Sequence, residues 1–397
     1  MVTQTAESKP GRALELPVEP RLTTEQQRVK ELGLELARDF ATRAAEHDRE
    51  RTLPTENFAK LREAGLFGAV IPKELGGLGV GMVGWVGLAE ELAQGCASMT
   101  LAFNMHINAT GGISHRSALP LATRRRIAAL ALDSGALMGT SASEPAVSSL
   151  LPGSFRFSTE ARKVHGGYQL YGRKMFVSMF EASDYCYLYA HPEGHPNRMR
   201  AIALLVPTNQ PGIRVTDIWD THGMRATRSN QVDYDGAFVP DDLVLYETES
   251  FIDSFIIEEA AWAFGGFCAT YMGLGLGILD AARKLLASRK AKGYAQEMGY
   301  HPNISSRYGE MVTDMDAARL MVYRAAWEYD TRGGALETFH WFMKAKLAVG
   351  NAVQRVVNNA MVSCGAHALL ALHLRETTPS EGSSLDIHEF ATSPAVA

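Results

Sequence analysis

A switch of hydrophobic period at Met138 constrains this chain more than any other feature. From Met138 to Ala190 the sequence lacks the three-and-four spacing of apolar residues that marks a helix. It is rich instead in turn residues and in alternating strand residues. Segments with helical spacing flank it on both sides. A chain of 397 residues has room for two or three domains. The pattern therefore predicts helices, then a small barrel or sandwich, then helices again.

In the first part, Thr24-Glu25-Gln26-Gln27 reads as a capping box, with a hydroxyl at the N-cap and Gln at the third helical position. Val29, Leu32, Leu36, Phe40 and Ala44 follow on one face. Pro54 opens a second helix that Gly65 stops, and further helices run through Trp85 to Leu92, Met99 to Ile107 and Thr123 to Leu132. Gly77, Gly79 and Gly81 read as a plain turn. A dinucleotide-binding loop needs a strand before it, and here helices stand on both sides. Residues 1–20 carry Gly, Pro, Ser and Glu without an apolar core and read as a flexible tail; 21–137 reads as a helical domain.

The middle part, 138–248, contains strands at Glu160–Val164 and Tyr168–Tyr171, joined through His165-Gly166-Gly167. Others follow at Tyr185–Ala190, Ala201–Pro207, Gly212–Val215 and Gln231–Val239. In the run Arg173 to Ser178, Phe176 and Ser178 are two apart and share a face of a strand. They offer a flat apolar surface and a hydroxyl to one planar ligand. Ser141, Ser143, Glu144 and Pro145 form a hydroxyl-rich turn. The last part, 249–397, reads as helices at Ile256–Leu286, Tyr308–Tyr329 and Trp341–Cys364, followed by an irregular tail. Apolar residues on several faces of these helices predict a homo-oligomer. Gly273, Gly275 and Gly277 fit close helix packing.

The net charge of −5 argues against nucleic-acid binding. No run reaches the roughly 18 uninterrupted apolar residues of a membrane span. Cys96, Cys186, Cys268 and Cys364 are widely spaced, which predicts reduced core thiols, no metal site and a cytoplasmic protein.

These ordered segments resemble the acyl-CoA dehydrogenase superfamily. Ser143-Glu144-Pro145 stands where that family has Thr-Glu-Pro, and Gly172 to Ser178 where it has Gly-x-Lys-x-Trp-Ile-Thr. Asp184 matches the Asp of its next turn. His222-Gly223-Met224-Arg225-Ala226-Thr227-Arg228-Ser229 resembles its Leu-Gly-Met-Arg-x-Thr-x-Ser. The resemblance runs from about Thr24 to Cys364. It implies an α+β fold, mostly α, with an N-terminal helical domain, a central small β-barrel and a C-terminal four-helix bundle. It implies FAD, with Ser141, Ser143, Ser149, Phe176, Ser178 and Ser383 as contacts. Arg289 and the Cys364-Gly365 turn would reach FAD across the interface of a homodimer or homotetramer. Arg225 and Ser229 are the implied substrate contacts.

Glu381-Gly382-Ser383 stands where the family has Glu-Gly-Thr, which implies Glu381 as catalytic base. Some relatives carry the base on the first helix of the last domain. Glu258 and Glu259 are nearest to that place, and Ala263 occupies it. Phe264 stands where an Arg is usual. The implied reaction is α,β-desaturation of an acyl thioester, on CoA or an acyl carrier protein, with an electron-acceptor protein as a further partner. A carboxylate must take the α-proton and FAD the β-hydride. Two alternatives stay open: a flavin-dependent monooxygenase of the same fold, which needs no glutamate base, and a non-catalytic relative.

Overall fold

The computed structural model describes residues 21–145, 157–290 and 292–365. Helix α1 (Thr24–Glu50) starts one residue earlier than the motif suggests, because Thr23 is the N-cap. Its hydroxyl accepts from the Gln26 amide (3.2 Å) and Gln26 Oε1 accepts from the Thr23 amide (2.9 Å). Gln26 Nε2 also donates to the Val80 carbonyl (2.8 Å), a tertiary bond that fixes the register. Then come α2 (Thr55–Glu63), α3 (Gly81–Gly95), α4 (Ala97–Ser114) and α5 (Leu121–Leu132). Helices α3 and α4 are buried on nearly every face, as their small and apolar residues allow.

The glycine turn ahead of α3 serves a carboxylate of this same chain. With Gly81 at φ +69°, the Met82 and Val83 amides donate to the two oxygens of Asp330 (2.6 and 2.9 Å). A Cβ on Gly81 would lie 2.8 Å from that carboxylate. Orphan amides at the helix start are thus met by a side chain 248 residues away.

The central sheet comprises β1 (Met138–Ser141), β2 (Glu160–Val164), β3 (Gly167–Val177), β4 (Tyr185–Pro192), β5 (Ala201–Pro207), β6 (Ile213–Thr216), β7 (Asn230–Pro240) and β8 (Val244–Thr248). Its order is β6-β7-β3-β2-β4-β5-β8, with β1 parallel on β4. It curls into a small barrel, open where the end strands β6 and β8 do not pair. Strands β4 and β5 are buried along nearly their whole length, so they read as continuous apolar runs. The expected Tyr168–Tyr171 strand is part of one strand that continues to Val177.

The helix expected over Ile256–Leu286 is two helices, α6 (Phe251–Glu258) and α7 (Ala260–Ser288). They are followed by α8 (Pro302–Arg332) and α9 (Leu336–Cys364). The break falls at Glu259 (φ −127°, ψ −28°), whose side chain turns inward to three tyrosines. Helices α7, α8 and α9 pack together and α7 also covers α3. Helix α7 is long and apolar enough to cross a membrane, yet 89% of its most apolar window is buried inside the protein. Gly273 explains part of that closeness: a Cβ there would come within 2.2 Å of the Glu90 carbonyl oxygen.

Replacing Asp330 with Ala removes both acceptors at the α3 start. A loss of about 1 kcal/mol is expected, the size of a lost N-cap, read as a lower urea midpoint at unchanged slope. A midpoint equal to that of the parent would mean that the bond contributes nothing.

Candidate functional site

The turn after β1 is held by a buried ion pair. Lys174 of β3 and Glu144 have no exposed side-chain surface, and Lys174 Nζ donates to Glu144 Oε1 (2.7 Å) and to the Tyr189 carbonyl (2.7 Å). Its ammonium also stands 4.3 Å from the centre of the Phe157 ring. Glu144 accepts further from the Ser158 amide and hydroxyl (both 2.5 Å) and from the Thr159 amide (3.2 Å). Burial alone would raise the Glu144 carboxyl; Lys174 and Ser158 outweigh it and hold the group below its ordinary value.

Strand β1 is fixed at its start. The Leu137 amide donates to Asp184 Oδ2 (2.8 Å), and the Met138 amide donates to His106 Nδ1 (3.2 Å). The other His106 nitrogen, 3.0 Å from the Phe67 carbonyl, carries the proton. Burial pulls His106 down to about 4, so it is a neutral structural residue. These bonds aim Thr140 to Ser143 at a half-open cavity of about 470 Å³.

Phe176 and Ser178 both line this cavity, but not through simple alternation. From Lys174 to Val177, β3 advances three residues while β7 advances two, Val232 to Asn230. This bulge puts Phe176 at φ +58°, against Trp219 in an edge-on contact of 5.9 Å. Behind the cavity runs a hydroxyl chain. Thr227 donates to the Met224 carbonyl (2.9 Å), Ser229 lies 2.7 Å from Thr227, and Ser178 lies 2.8 Å from Ser229. If each hydroxyl gives its proton to the next, Ser178 presents an acceptor to the cavity.

The opposite wall comes from α4, α6 and α7: Leu101, Met105, Asn108, Phe255, Ala263, Phe264, Phe267 and Tyr271. The sequence reading marked Ala263 and Phe264 here only by alignment, and it missed Asn108 and Trp219. Helical spacing alone cannot tell a core face from a cavity face. Among the described residues no carboxylate lines the cavity. Glu258 faces a separate polar cleft with His115, Asp330 and Arg332. Glu259 is buried and accepts from the phenols of Tyr187 (2.7 Å), Tyr189 and Tyr246, with Arg116 at 3.6 Å. Burial pushes its carboxyl up against the pull of those phenols and of Arg116. Neither reaches the cavity.

Of the other predicted contacts, Ser141, Ser143 and Ser229 line the cavity, whereas Arg225 does not. Its amide donates to Asp48 Oδ1 (3.1 Å), Nε to the Asp48 carbonyl (3.1 Å) and Nη1 to the Thr221 carbonyl (2.6 Å). It pins its loop to the end of α1. Arg289 ends α7 and Cys364 ends α9, with Gly365 at φ +64° beyond; all three lie away from the cavity. Burial raises the Cys364 thiol to about 11, offset in part by Arg289. Ser149, Glu381 and Ser383 lie outside the described residues.

Comparison with known proteins agrees with this architecture. The acyl-CoA dehydrogenase N-terminal, middle and C-terminal domain families match residues 23–117, 139–237 and 259–382. The chain is similar to a putative acyl-CoA dehydrogenase, YdbM, of Bacillus subtilis (strain 168), 28% identical over 84% of this chain and 85% of that protein. It is similar to a dibenzothiophene monooxygenase of Mycolicibacterium goodii, 26% identical over 89% and 86%. Among solved structures it shares the fold of a glutaryl-coenzyme A dehydrogenase in complex with glutaryl-CoA, with TM-score 0.79 and 23% identity over 94% of this chain and 90% of that one. The chain belongs to the acyl-CoA dehydrogenase family and is a flavoprotein oxidoreductase.

The site fits a flavin ring. Ser141 Oγ is buried without a hydrogen-bond partner among the described residues, and Phe176 leaves 55% of its surface bare at the cavity. Ser141, Ser143, Phe176 and Ser178 are the residues that would hold it.

Lys174→Met leaves Glu144 buried without its cation, and a loss of about 3–5 kcal/mol is expected in chemical denaturation, together with weaker flavin retention. A carboxyl held low in the folded chain adds stability above its unfolded pKa of about 4.3. That stability is lost as pH falls through the folded value. Acidification should therefore destabilise the parent more than the Glu144→Gln/Lys174→Met double variant. Equal acid sensitivity would contradict the assignment.

Proposed function

We propose that this protein desaturates an acyl thioester between its α and β carbons, with FAD as cofactor and Glu381 as base. The carrying observation is the cavity between the barrel and helices α4 and α7. One wall offers hydroxyls and a flat aromatic; the other is uncharged and largely apolar. A planar ring and an acyl chain fit side by side in such a space. Bound FAD supplies the acceptor for the β-hydrogen. Ser141, Ser143 and Ser178 orient the ring's polar edge, and α4 and α7 exclude water from the acyl group. Glu381 takes the α-proton; the family match in the last domain extends to residue 382 and so includes it. Phe264, standing where the family has an Arg, favours a carrier protein over free CoA as the thioester's handle.

Leu347 and Val362 of α9 are exposed, and a second copy of the chain is the natural cover for such a face. In a dimer or tetramer built there, Arg289 and Cys364-Gly365 would serve the partner's FAD. Four buried free thiols suit a cytoplasmic setting, where an electron-transfer protein would reoxidise the flavin. A second reading, a flavin monooxygenase of the same fold, needs no glutamate base, and a dibenzothiophene monooxygenase is among the proteins the chain is similar to.

Purified protein should be yellow, release FAD on denaturation, and bleach when mixed anaerobically with its thioester. Glu381→Gln should keep FAD and thioester binding and slow bleaching by on the order of 10²–10⁴-fold. Bleaching at the parental rate would remove Glu381 as the base. Oxygen-dependent hydroxylation by the reduced protein, with no bleaching by any thioester, would establish the monooxygenase instead. Light scattering should give a dimer or tetramer mass; a monomer that retains FAD would contradict the assembly.

A further inference from the structure

Helix α4 presents Leu101, Met105 and Asn108 to the cavity along one face, four and three residues apart. The first two are the apolar wall an acyl chain needs. Asn108 is different. It is 8% exposed, and its Oδ1 is buried without a hydrogen-bond partner among the described residues. Its neighbour Asn104 also has a buried Oδ1 without a partner among the described residues, but Asn104 Nδ2 donates to the Ala263 carbonyl (3.1 Å), tying α4 to α7, and Asn104 does not line the cavity. Asn104 thus has a packing role, whereas Asn108 makes no such bond and faces the cavity. A buried amide left unpaired in an otherwise apolar wall is unfavourable unless a ligand completes it.

The chemistry of that ligand is bounded on the page. No charged side chain among the described residues lines the cavity, so none of them would pair with a carboxylate or ammonium on the acyl group. A side-chain amide both donates and accepts, and a hydroxyl also does both, so it satisfies Asn108 whichever way the amide is turned. Phe255 and Phe264, packed edge-on at 6.1 Å, close part of the cavity. Its volume of about 470 Å³ must also take the flavin ring, so a small polar group is easier to place than a bulky one. We infer that Asn108 determines specificity by hydrogen-bonding a hydroxyl on the acyl chain, so that the preferred substrate is a hydroxyacyl thioester. This rests on the desaturation reading above.

The test uses FAD-loaded protein, mixed anaerobically with pantetheine thioesters, the segment that CoA and carrier proteins share. Short unsubstituted acyl groups are paired with hydroxylated ones of equal heavy-atom number, the hydroxyl being moved along the chain. Flavin bleaching is followed at a series of concentrations. The parent should bleach with at least one hydroxylated member roughly tenfold or more efficiently than with its apolar partner. Asn108→Leu should erase or reverse that preference while still bleaching with the apolar partner, and Asn108→Ala should erase it with less change of shape. Retained FAD and an unchanged melting temperature report intact folding of each variant. A parent that favours the apolar member of every pair, or variants that lose both members equally, would overturn the inference and leave desaturation standing. A parent that bleaches with no thioester would sink the desaturation reading, and this inference with it.

Discussion

The cavity depends on the ion pair between Glu144 and Lys174. Taking two charges out of water is costly, and the cost is met only when the partners and their hydrogen bonds are complete. Here they are. The carboxylate accepts from Lys174, Ser158 and Thr159, and the ammonium reaches Glu144, the Tyr189 carbonyl and the face of Phe157. Two apolar side chains could fill the same volume but would not fix direction. The pair holds the Ser141-to-Pro145 turn against the bulged end of β3. It thereby places hydroxyls from one and Phe176 from the other at the same cavity.

A second buried charge shapes the opposite wall. Glu259 gathers Tyr187 and Tyr189 from β4, Tyr246 from β8 and Arg116 from the segment between α4 and α5. Its inward turn breaks the helix, so that Phe255 on α6 and Ala263 and Phe264 on α7 approach the cavity from differently directed helices. Tyr189 belongs to both centres, its carbonyl to Lys174 and its phenol to Glu259. The two walls are therefore set by one strand. A carboxylate committed to three phenols and an arginine is also not free to act as a base.

Much of this was legible in the sequence, for a physical reason. Period is a local property, so the helix–barrel–helix order, the strand at Ala201–Pro207 and the hydroxyl-rich turn could be read directly. What could not be read depends on distant partners. The true N-cap at Thr23 follows from the reach of Gln26 to Val80, and the break at Glu259 from tyrosines up to 72 residues away. The β3 bulge replaced simple alternation, because one extra residue in a strand leaves no mark on composition. Arg225 matched a motif yet serves Asp48 and Thr221. Asn108 lay in a run that reads only as a helix, and its unpaired oxygen becomes visible only in the folded cavity wall.

The central proposal is that the cavity holds a flavin ring beside the α and β carbons of an acyl thioester, with Glu381 as the base. Isotope incorporation tests it most directly. FAD-loaded protein is incubated with an acyl thioester in heavy water without oxygen, and the α carbon is followed by mass spectrometry. The account predicts deuterium at that carbon, with an α,β-double bond appearing in proportion to the flavin bleached. A thioester recovered unlabelled and still saturated, beside flavin that remains oxidised, would contradict it.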